Sequence, residues 1–289
     1  MKKIVLLGCE NSHANTFMGI IKKYTKYSDV EVIGCFSHEE KPMESLNAKY
    51  GIKIMQSFDE AVGLADGIVV TARHGDNHLK YAKPYFGKVK AMFIDKPVTV
   101  KEQDALELIN LAKSTNTKLS GGSCIKYATF VNQLKKEVQE STNGETLSGV
   151  VRCPYSLDNP HGGFYFYAQH LVESVCKIFG HFPKSVVATK NDKTITTVFR
   201  YEGYDVVGVF TDQVYQYSAI RMAKEKDTFG EIEISDVCFE KEFDEFYQIL
   251  SGEEQKVDYK EFISPVFILN AIERSINSGR EEIVTEYNV

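Results

Sequence analysis

Short apolar runs that alternate with helical patterns over about the first 120 residues constrain this chain more than any other feature. Each run is bounded by turn residues, as a β-strand is. Strands that alternate with helices are typical of a parallel sheet covered on both faces. We therefore expect an α/β domain with a doubly wound parallel sheet over residues 1–120. The predicted strands are Ile4–Leu7, Val30–Phe36, Gly67–Thr71, Met92–Ile94 and Leu119–Gly122.

The helical patterns between these strands carry recognisable start and stop signals. Gly51 ends a helix over Glu44–Tyr50, and Thr99 with Glu102 predicts a capping box before a long helix. A short helix is predicted over Phe58–Leu64, because acidic residues stand in its first turn. These signals support the alternation of strands and helices.

After residue 121 several predicted strands follow one another without intervening helices. This succession indicates a mainly antiparallel sheet and an α+β domain over residues 121–289. Alternating tracts such as Thr194–Phe199 and Val206–Phe210 would leave one apolar sheet face too large to expose on a monomer. We therefore expect a homodimer or homotetramer formed through that face. The predicted strands are Ser185–Ala188, Thr194–Tyr201, Asp205–Phe210 and Tyr215–Ile220, and the helices Thr129–Gln139, Phe164–Phe179, Glu240–Leu250 and Ser264–Ser278.

The charge balance argues against several classes of partner. The chain has 34 Lys and Arg against 40 Asp and Glu, and it shows no basic cluster of the kind that nucleic acids or anionic membranes require. The apolar run at the amino terminus is too short for a signal peptide, and no run is long enough to span a membrane. The six cysteines stand singly, without metal-ligand spacing. We expect a cytoplasmic protein without a bound metal.

The predicted strand Met92–Ile94 ends in the charged pair Asp95 and Lys96 and is stopped by Pro97. Because proline cannot donate to a sheet, Lys96 is expected at the carboxyl end of the strand, where open α/β sheets bind ligands. A lysine fixed there suits a substrate oxygen or a cofactor. The alternative is an ordinary solvated lysine.

The turn after the first strand, Gly8–His13, keeps only the first glycine of the G-x-G-x-x-G pattern that lets a backbone approach a pyrophosphate. Asn11, Ser12 and the start of the following helix still suit an anion. Glu10 would lie near the phosphates unless its side chain turned away. A dinucleotide site and a plain strand-to-helix turn both remain open.

The acid that usually ends the second strand and binds the ribose is also missing, because Ser37 and His38 occupy its place. Either Glu39 substitutes for it or no carboxylate reads the 2′-position. We expect the adenosine end of a dinucleotide near Ser37 and His38. Whether it is NAD or NADP stays open, since Ser37 could donate to a 2′-phosphate that Glu39 and Glu40 would repel.

A second polar cluster follows Gly162 and Gly163, on the predicted helix Phe164–Phe179. Tyr167, His170 and Glu173 would lie on one face of this helix, within an arc of about 120°. Imidazole suits proton removal from a hydroxyl near neutral pH, and a carboxylate one turn away can orient it. The alternative is a set of buried polar residues that satisfy one another.

Taken together in chain order, these features resemble the glucose-fructose oxidoreductase and inositol dehydrogenase family, Gfo/Idh/MocA. Lys96 matches the lysine of the family's E-K-P motif, and Asp95 replaces its glutamate. His170 matches the catalytic histidine, and Tyr167 stands where the family usually has aspartate, as in a branch reading Y-x-x-H-x-x-E. The features that carry the resemblance are Asp95-Lys96-Pro97, Gly162-Gly163 with His170, Thr71 and His78, Phe243 with Ser251-Gly252, and the segment Ala271–Arg280.

The resemblance implies an enzyme that transfers a hydride between NAD or NADP and a sugar, cyclitol or related polyol. His170 would act as acid or base, Lys96 would polarise the substrate oxygen across a crevice between the domains, and Tyr167 would assist. A non-catalytic sensor that binds a dinucleotide or sugar and acts through a protein partner is the alternative. The expected substrate contacts are Tyr165 and Glu173, and the expected cofactor contacts are Gly8, Glu10, Asn11, Ser12, His13, Ser37, His38, Thr71, His78, Asp95 and Lys96.

Overall fold

The structure is a computed structural model that describes residues 1–289. Contacts between Cα atoms divide the chain into two compact units. The first contains Met1–Gly122, Phe239–Tyr259 and Val289, and the second contains Ser123–Cys238 and Lys260–Asn288. The predicted division into domains 1–120 and 121–289 stays a prediction. The contacts add that the chain returns to the first unit between residues 239 and 259.

The first unit contains a five-stranded parallel sheet, with the strand order β2-β1-β3-β4-β5. Every residue of β3 and β4 is buried, because both faces of the sheet are covered. The expected doubly wound α/β sheet is confirmed. The strands are β1 (Lys2–Leu7), β2 (Val30–Phe36), β3 (Gly67–Val70), β4 (Ala91–Asp95) and β5 (Lys118–Gly122).

Four helices accompany these strands: α1 (Ser12–Lys23), α2 (Glu40–Tyr50), α3 (Asp76–Ala82) and α4 (Glu102–Thr115). Gly51 ends α2 with a positive φ of 71°, as the sequence predicted. The helix predicted over Phe58–Leu64 is wrong, since this segment forms successive hydrogen-bonded turns. The predicted capping box is also wrong, because the N-cap of α4 is Lys101.

The second unit contains a seven-stranded mixed sheet, with the order β11-β10-β6-β9-β8-β7-β12. Only β6 and β9 pair in parallel, so the expectation of a mainly antiparallel sheet is confirmed. The two short strands β11 and β12 were not predicted. The strands are β6 (Thr146–Tyr155), β7 (Ser185–Lys190), β8 (Thr194–Arg200), β9 (Asp205–Asp212), β10 (Ser218–Ala223), β11 (Thr228–Glu231) and β12 (Glu282–Ile283).

Burial alternates along β8, β9 and β10, so these strands have one buried and one half-buried face. The helix α6 packs against β6 and β9. No helix of the chain combines the length and apolarity that a membrane crossing requires. The remaining helices are α5 (Thr129–Gln139), α6 (Tyr165–Phe179), α7 (Asp236–Leu250) and α8 (Tyr259–Ser278).

Candidate functional site

The turn after β1 depends on a glycine. Gly8 has a φ of 79°, and a Cβ atom added there would lie 2.3 Å from the Cα atom of Ala72. The Gly8 N–H donates to the carbonyl of Phe36 at 2.8 Å, which fixes the turn to the end of β2. The first glycine is thus required by backbone conformation and by the close approach of the segment after β3.

Asn11 caps the amino terminus of α1. Its Oδ1 accepts a hydrogen bond from the His13 N–H at 3.3 Å and lies 3.4 Å from the hydroxyl of Ser12. Its Nδ2 is buried and has no hydrogen-bond partner in the protein. A donor without an acceptor, placed at the positive end of a helix, fits an anion such as the diphosphate of a dinucleotide.

Glu10 turns away from the amino terminus of α1. Its Oε2 accepts a hydrogen bond from the hydroxyl of Ser37 at 2.7 Å, and its Oε1 accepts one from the Arg73 N–H at 3.0 Å. The side chain therefore joins the residues that follow β2 and β3. His38 is exposed, and its ring centroid lies 5.5 Å from that of Phe36. The repulsion between Glu10 and the phosphates, left open by the sequence, is relieved by this orientation.

The charged pair at the end of β4 is buried. Asp95 is 1% exposed and Lys96 is 3% exposed, so the alternative of a solvated surface lysine is wrong. Asp95 Oδ2 lies 2.6 Å from His13 Nδ1, and Asp95 Oδ1 accepts from the Lys96 N–H at 2.7 Å. Burial alone would raise the pKa of Asp95, but His13 and Lys96 together hold this pKa below its ordinary value. The ionised carboxylate thus ties the end of β4 to the start of α1.

Thr71 and His78 support the backbone of this edge. The Thr71 hydroxyl donates to the carbonyl of Gly8 at 3.1 Å. The fully buried His78 ring places Nε2 2.8 Å from the Ala72 carbonyl and Nδ1 3.3 Å from the Val98 carbonyl. Both side chains are fully buried and engaged with backbone carbonyls, and their predicted contacts with a cofactor stay predictions.

In the second unit, His170 and Glu173 of α6 meet at Ser123. His170 Nδ1 lies 2.6 Å from the Ser123 hydroxyl, and Glu173 Oε1 accepts from the Ser123 N–H and from Gln169 Nε2, each at 3.1 Å. Ser123 therefore links the imidazole to the carboxylate one turn away, and the predicted orientation of the imidazole by this carboxylate stays a prediction. Both side chains are buried.

Aromatic side chains surround this histidine. The rings of Tyr167 and Tyr217 have centroids 6.2 Å and 6.1 Å from that of His170. Burial raises the pKa of Tyr217 well above its ordinary value, so this phenol stays neutral. Tyr165 is 5% exposed and donates its hydroxyl to Glu273 at 2.8 Å. Its predicted contact with a substrate stays a prediction.

Sequence reasoning did not find Ser123. The available signal was its place, directly after Gly121 and Gly122 at the carboxyl end of a predicted strand. That signal marks an edge where ligands bind but not a partner 47 residues further along the chain.

Residues 2–123 match the model of an oxidoreductase family with an NAD-binding Rossmann fold, Gfo/Idh/MocA. The match covers residues 2–123, and it shows that this part of the chain is similar to that family. The resemblance drawn from the sequence is thereby confirmed, as is the expectation of a nicotinamide dinucleotide as cofactor. Lys96 lies within the matched residues. Tyr167, His170 and Glu173 lie outside them, so the roles of these three residues stay predictions.

The curated relatives that match this chain are distant. Glucose-6-phosphate 3-dehydrogenase of Bacillus subtilis is 26% identical over 151 residues, which are 51% of this chain and 41% of that protein. The chain spans about half the length of the curated relatives it matches.

Two solved structures share the whole architecture. The myo-inositol 2-dehydrogenase of Lactobacillus plantarum has a TM-score of 0.85 at 13% identity and covers 98% of this chain and 99% of its own. GenD2 from gentamicin A biosynthesis, solved in complex with NAD, has a TM-score of 0.83 at 13% identity over 100% and 97%. At such identities the likeness concerns the fold.

Proposed function

We propose that this protein is an NAD- or NADP-dependent oxidoreductase acting on a C–OH or C=O group of a sugar, cyclitol or related polyol. The observation that carries this proposal is the buried Asp95–Lys96 pair at the carboxyl end of β4, within the residues that match the family. Burying charged groups costs free energy, and a purely structural site has no need of buried charges. The glucose-6-phosphate and myo-inositol dehydrogenases among the relatives support the class of substrate.

The residues of the first unit would hold the cofactor. The turn Gly8–His13 offers the amino terminus of α1 and the unpartnered Asn11 Nδ2 to a diphosphate. When bound, the nicotinamide ring supplies or accepts the hydride. The side chain of Lys96 would polarise the substrate oxygen, as its position at the end of β4 suggests.

His170 would remove or return the proton of the substrate hydroxyl. The hydrogen bond between its Nδ1 and Ser123 would fix the ring, and Ser123 in turn is held through its N–H by Glu173. Tyr167 would assist in place of the aspartate that the family usually carries. Tyr165 and Glu173 remain our proposed substrate contacts.

The test is turnover of a panel of sugar phosphates, inositols and nucleotide sugars, followed as formation of NADH or NADPH. His170→Ala and Lys96→Ala should each lower kcat by about 10²-fold or more, the range of a lost general acid or base. Tyr167→Phe should lower kcat less if the hydroxyl only orients the ring. Lys88→Ala, at an exposed position of the first unit, is the matched control.

Two outcomes would count against the enzyme. If both alanine variants kept the wild-type kcat, the acid, base and polarising groups would be other residues. Tight binding of a dinucleotide without turnover of any compound in the panel would favour a non-catalytic sensor acting through a protein partner. The loss of the two later glycines of the turn, whose places are taken by Glu10 and His13, is the observation that favours this second function.

We also propose that the protein forms a homodimer or homotetramer through the half-buried face of the seven-stranded sheet. Val198 of β8, Val207 and Val209 of β9 and Ile220 of β10 are half-buried on the side of each strand opposite its buried residues. An apolar sheet face of this kind is typical of a surface that another chain covers.

A further inference from the structure

We propose that Glu10 supplies the carboxylate that the end of β2 lacks, that it accepts the hydroxyls of the adenosine ribose, and that it thereby selects NAD over NADP. The inference rests on the proposed function and assigns a specificity residue to its cofactor. In dinucleotide-binding sheets an acid at the end of the second strand usually makes these hydrogen bonds. Here that place is taken by Ser37, whose hydroxyl already donates to Glu10 and accepts from the Glu39 N–H.

A carboxylate nevertheless lies beside Ser37, contributed by another strand. Glu10 follows β1, and its Oε2 accepts the Ser37 hydroxyl at 2.7 Å. Its Oε1 accepts the Arg73 N–H at 3.0 Å, so the group is held from two sides. The side chain is fixed in one orientation without a cofactor, which lowers the cost of organising the site when a ribose binds.

The Glu10 carboxylate has capacity left for a ribose. Two carboxylate oxygens offer about four acceptor sites, and the contacts with Ser37 and Arg73 occupy one on each oxygen. Glu10 is half-buried, so its remaining acceptor sites can be reached from solvent. The 2′- and 3′-hydroxyls of NAD are donors that match these acceptors.

The charges around Ser37 oppose a 2′-phosphate. A cleft of about 540 Å³ opens beside Ser37 and contains Glu40 and Glu44 but no Lys or Arg among its lining residues. A phosphate with about two negative charges in this cleft would face these two carboxylates. Arg73 donates its backbone N–H to Glu10. The guanidinium of the same residue is the positively charged group to which binding of a 2′-phosphate would otherwise be attributed.

The experiment measures binding of NADH and NADPH to the cofactor-free protein by nicotinamide fluorescence. The wild type should bind NADH at least about 30-fold more tightly than NADPH. The ribose hydroxyls of NADH can donate to Glu10, whereas the 2′-phosphate of NADPH is repelled by the nearby carboxylates. Glu10→Gln should reduce the ratio of the two affinities by at least about fivefold. The main cause would be weaker binding of NADH, since a charged acceptor makes stronger hydrogen bonds than a neutral one.

Two controls separate Glu10 from its neighbours. Glu39→Gln removes one exposed negative charge near Ser37 and should leave the ratio within about twofold, because Glu39 does not line the cleft. Arg73→Ala should also leave the preference for NADH in place. The double variant Glu10→Ala with Ser37→Asp returns an acid to the end of β2 and should restore the preference for NADH. A restored preference would show that the effect of Glu10→Gln comes from the lost carboxylate and not from misfolding.

The outcomes distinguish this inference from the proposed function. Equal binding of NADH and NADPH by the wild type, an unchanged ratio in Glu10→Gln, or the same loss in Glu39→Gln would overturn the role of Glu10 while turnover could still occur. A preference for NADH that depends on Glu10, with no turnover of any polyol, would sustain the role and overturn the enzyme. Binding of neither dinucleotide would overturn both.

Discussion

The two sheets of this molecule differ in how their strand residues are buried. In the five-stranded sheet, β3 and β4 are buried at every residue, and the polar groups that matter follow their carboxyl ends. In the seven-stranded sheet, β8 and β9 alternate between buried and half-buried residues, and the polar cluster sits on the helix α6 instead. A sheet covered on both faces leaves its edge for ligands, whereas a sheet covered on one face leaves a surface for another chain.

This comparison predicts its largest effect for the same substitution made in both sheets. Val69 of β3 is fully buried, and Val207 of β9 is half-buried. Val69→Lys should abolish the fold or lower the free energy of unfolding by more than about 4 kcal/mol, because an unpaired charge would be buried. Val207→Lys should keep the circular dichroism spectrum of the folded chain, since its ammonium group can reach water.

Far-ultraviolet circular dichroism and urea unfolding measure both variants side by side. Val69→Ala and Val207→Ala form the milder matched pair. We expect the larger loss of stability for Val69→Ala, because it leaves an enclosed cavity, whereas the space left by Val207→Ala is open to solvent. If the two lysine variants lost equal stability, the contrast between the two sheets would not hold.

The strands and the edge of the first sheet could be predicted from the sequence because their signals are local. Continuous apolar runs, Gly51 after α2 and Pro97 after β4 each constrain the backbone at their own position. The acidic residues of the segment Phe58–Leu64 misled: Glu60 accepts the Gln56 N–H at 2.6 Å, and the segment forms turns. Thr99 donates to the Lys101 carbonyl at 3.0 Å and so does not cap α4.

The candidate site was only partly predictable, because its decisive contacts are long-range. The burial of Lys96 and the bond between His13 and Asp95 join segments 82 residues apart. The orientation of Glu10 depends on Ser37 and on the backbone of Arg73, and no pattern in the turn reveals either contact. Residue types suggested which groups carry chemistry, and the fold decides what each of them touches.

The open face of the second sheet predicts self-association that one charge can disrupt. Light scattering at micromolar concentration should give a mass of two or four chains for the wild type. Val207→Lys should shift the mass toward one chain, because a charge desolvated at an interface costs free energy. Leu64→Lys, at an apolar residue of the first unit that is 64% exposed, should leave the mass unchanged. A monomeric wild type would show that this face stays uncovered.

A smaller effect concerns one histidine in each unit, the fully buried His78 and the partly buried His181. Burial lowers the pKa of His78 in the first unit and of His181 in the second. The unfolded chain therefore takes up a proton at these positions near pH 6.5, before the folded chain does. The contribution of these histidines to stability is complete above pH 6.5 and is lost as the pH falls below it. The lowered pKa of Asp95 affects stability only below about pH 4.

The free energy of unfolding, measured with urea, should thus decline between pH 7 and pH 5.5 by roughly 1 kcal/mol for a histidine that stays neutral in the fold. His78→Gln should flatten this decline, at the cost of weaker bonds to the Ala72 and Val98 carbonyls at every pH. His181→Gln is the matched variant and should flatten it less, because the His181 side chain is 20% exposed while His78 is fully buried. An unaltered slope in His78→Gln would mean that the folded protein takes up this proton as readily as the unfolded chain, and that the covered edge of the first sheet is open to water.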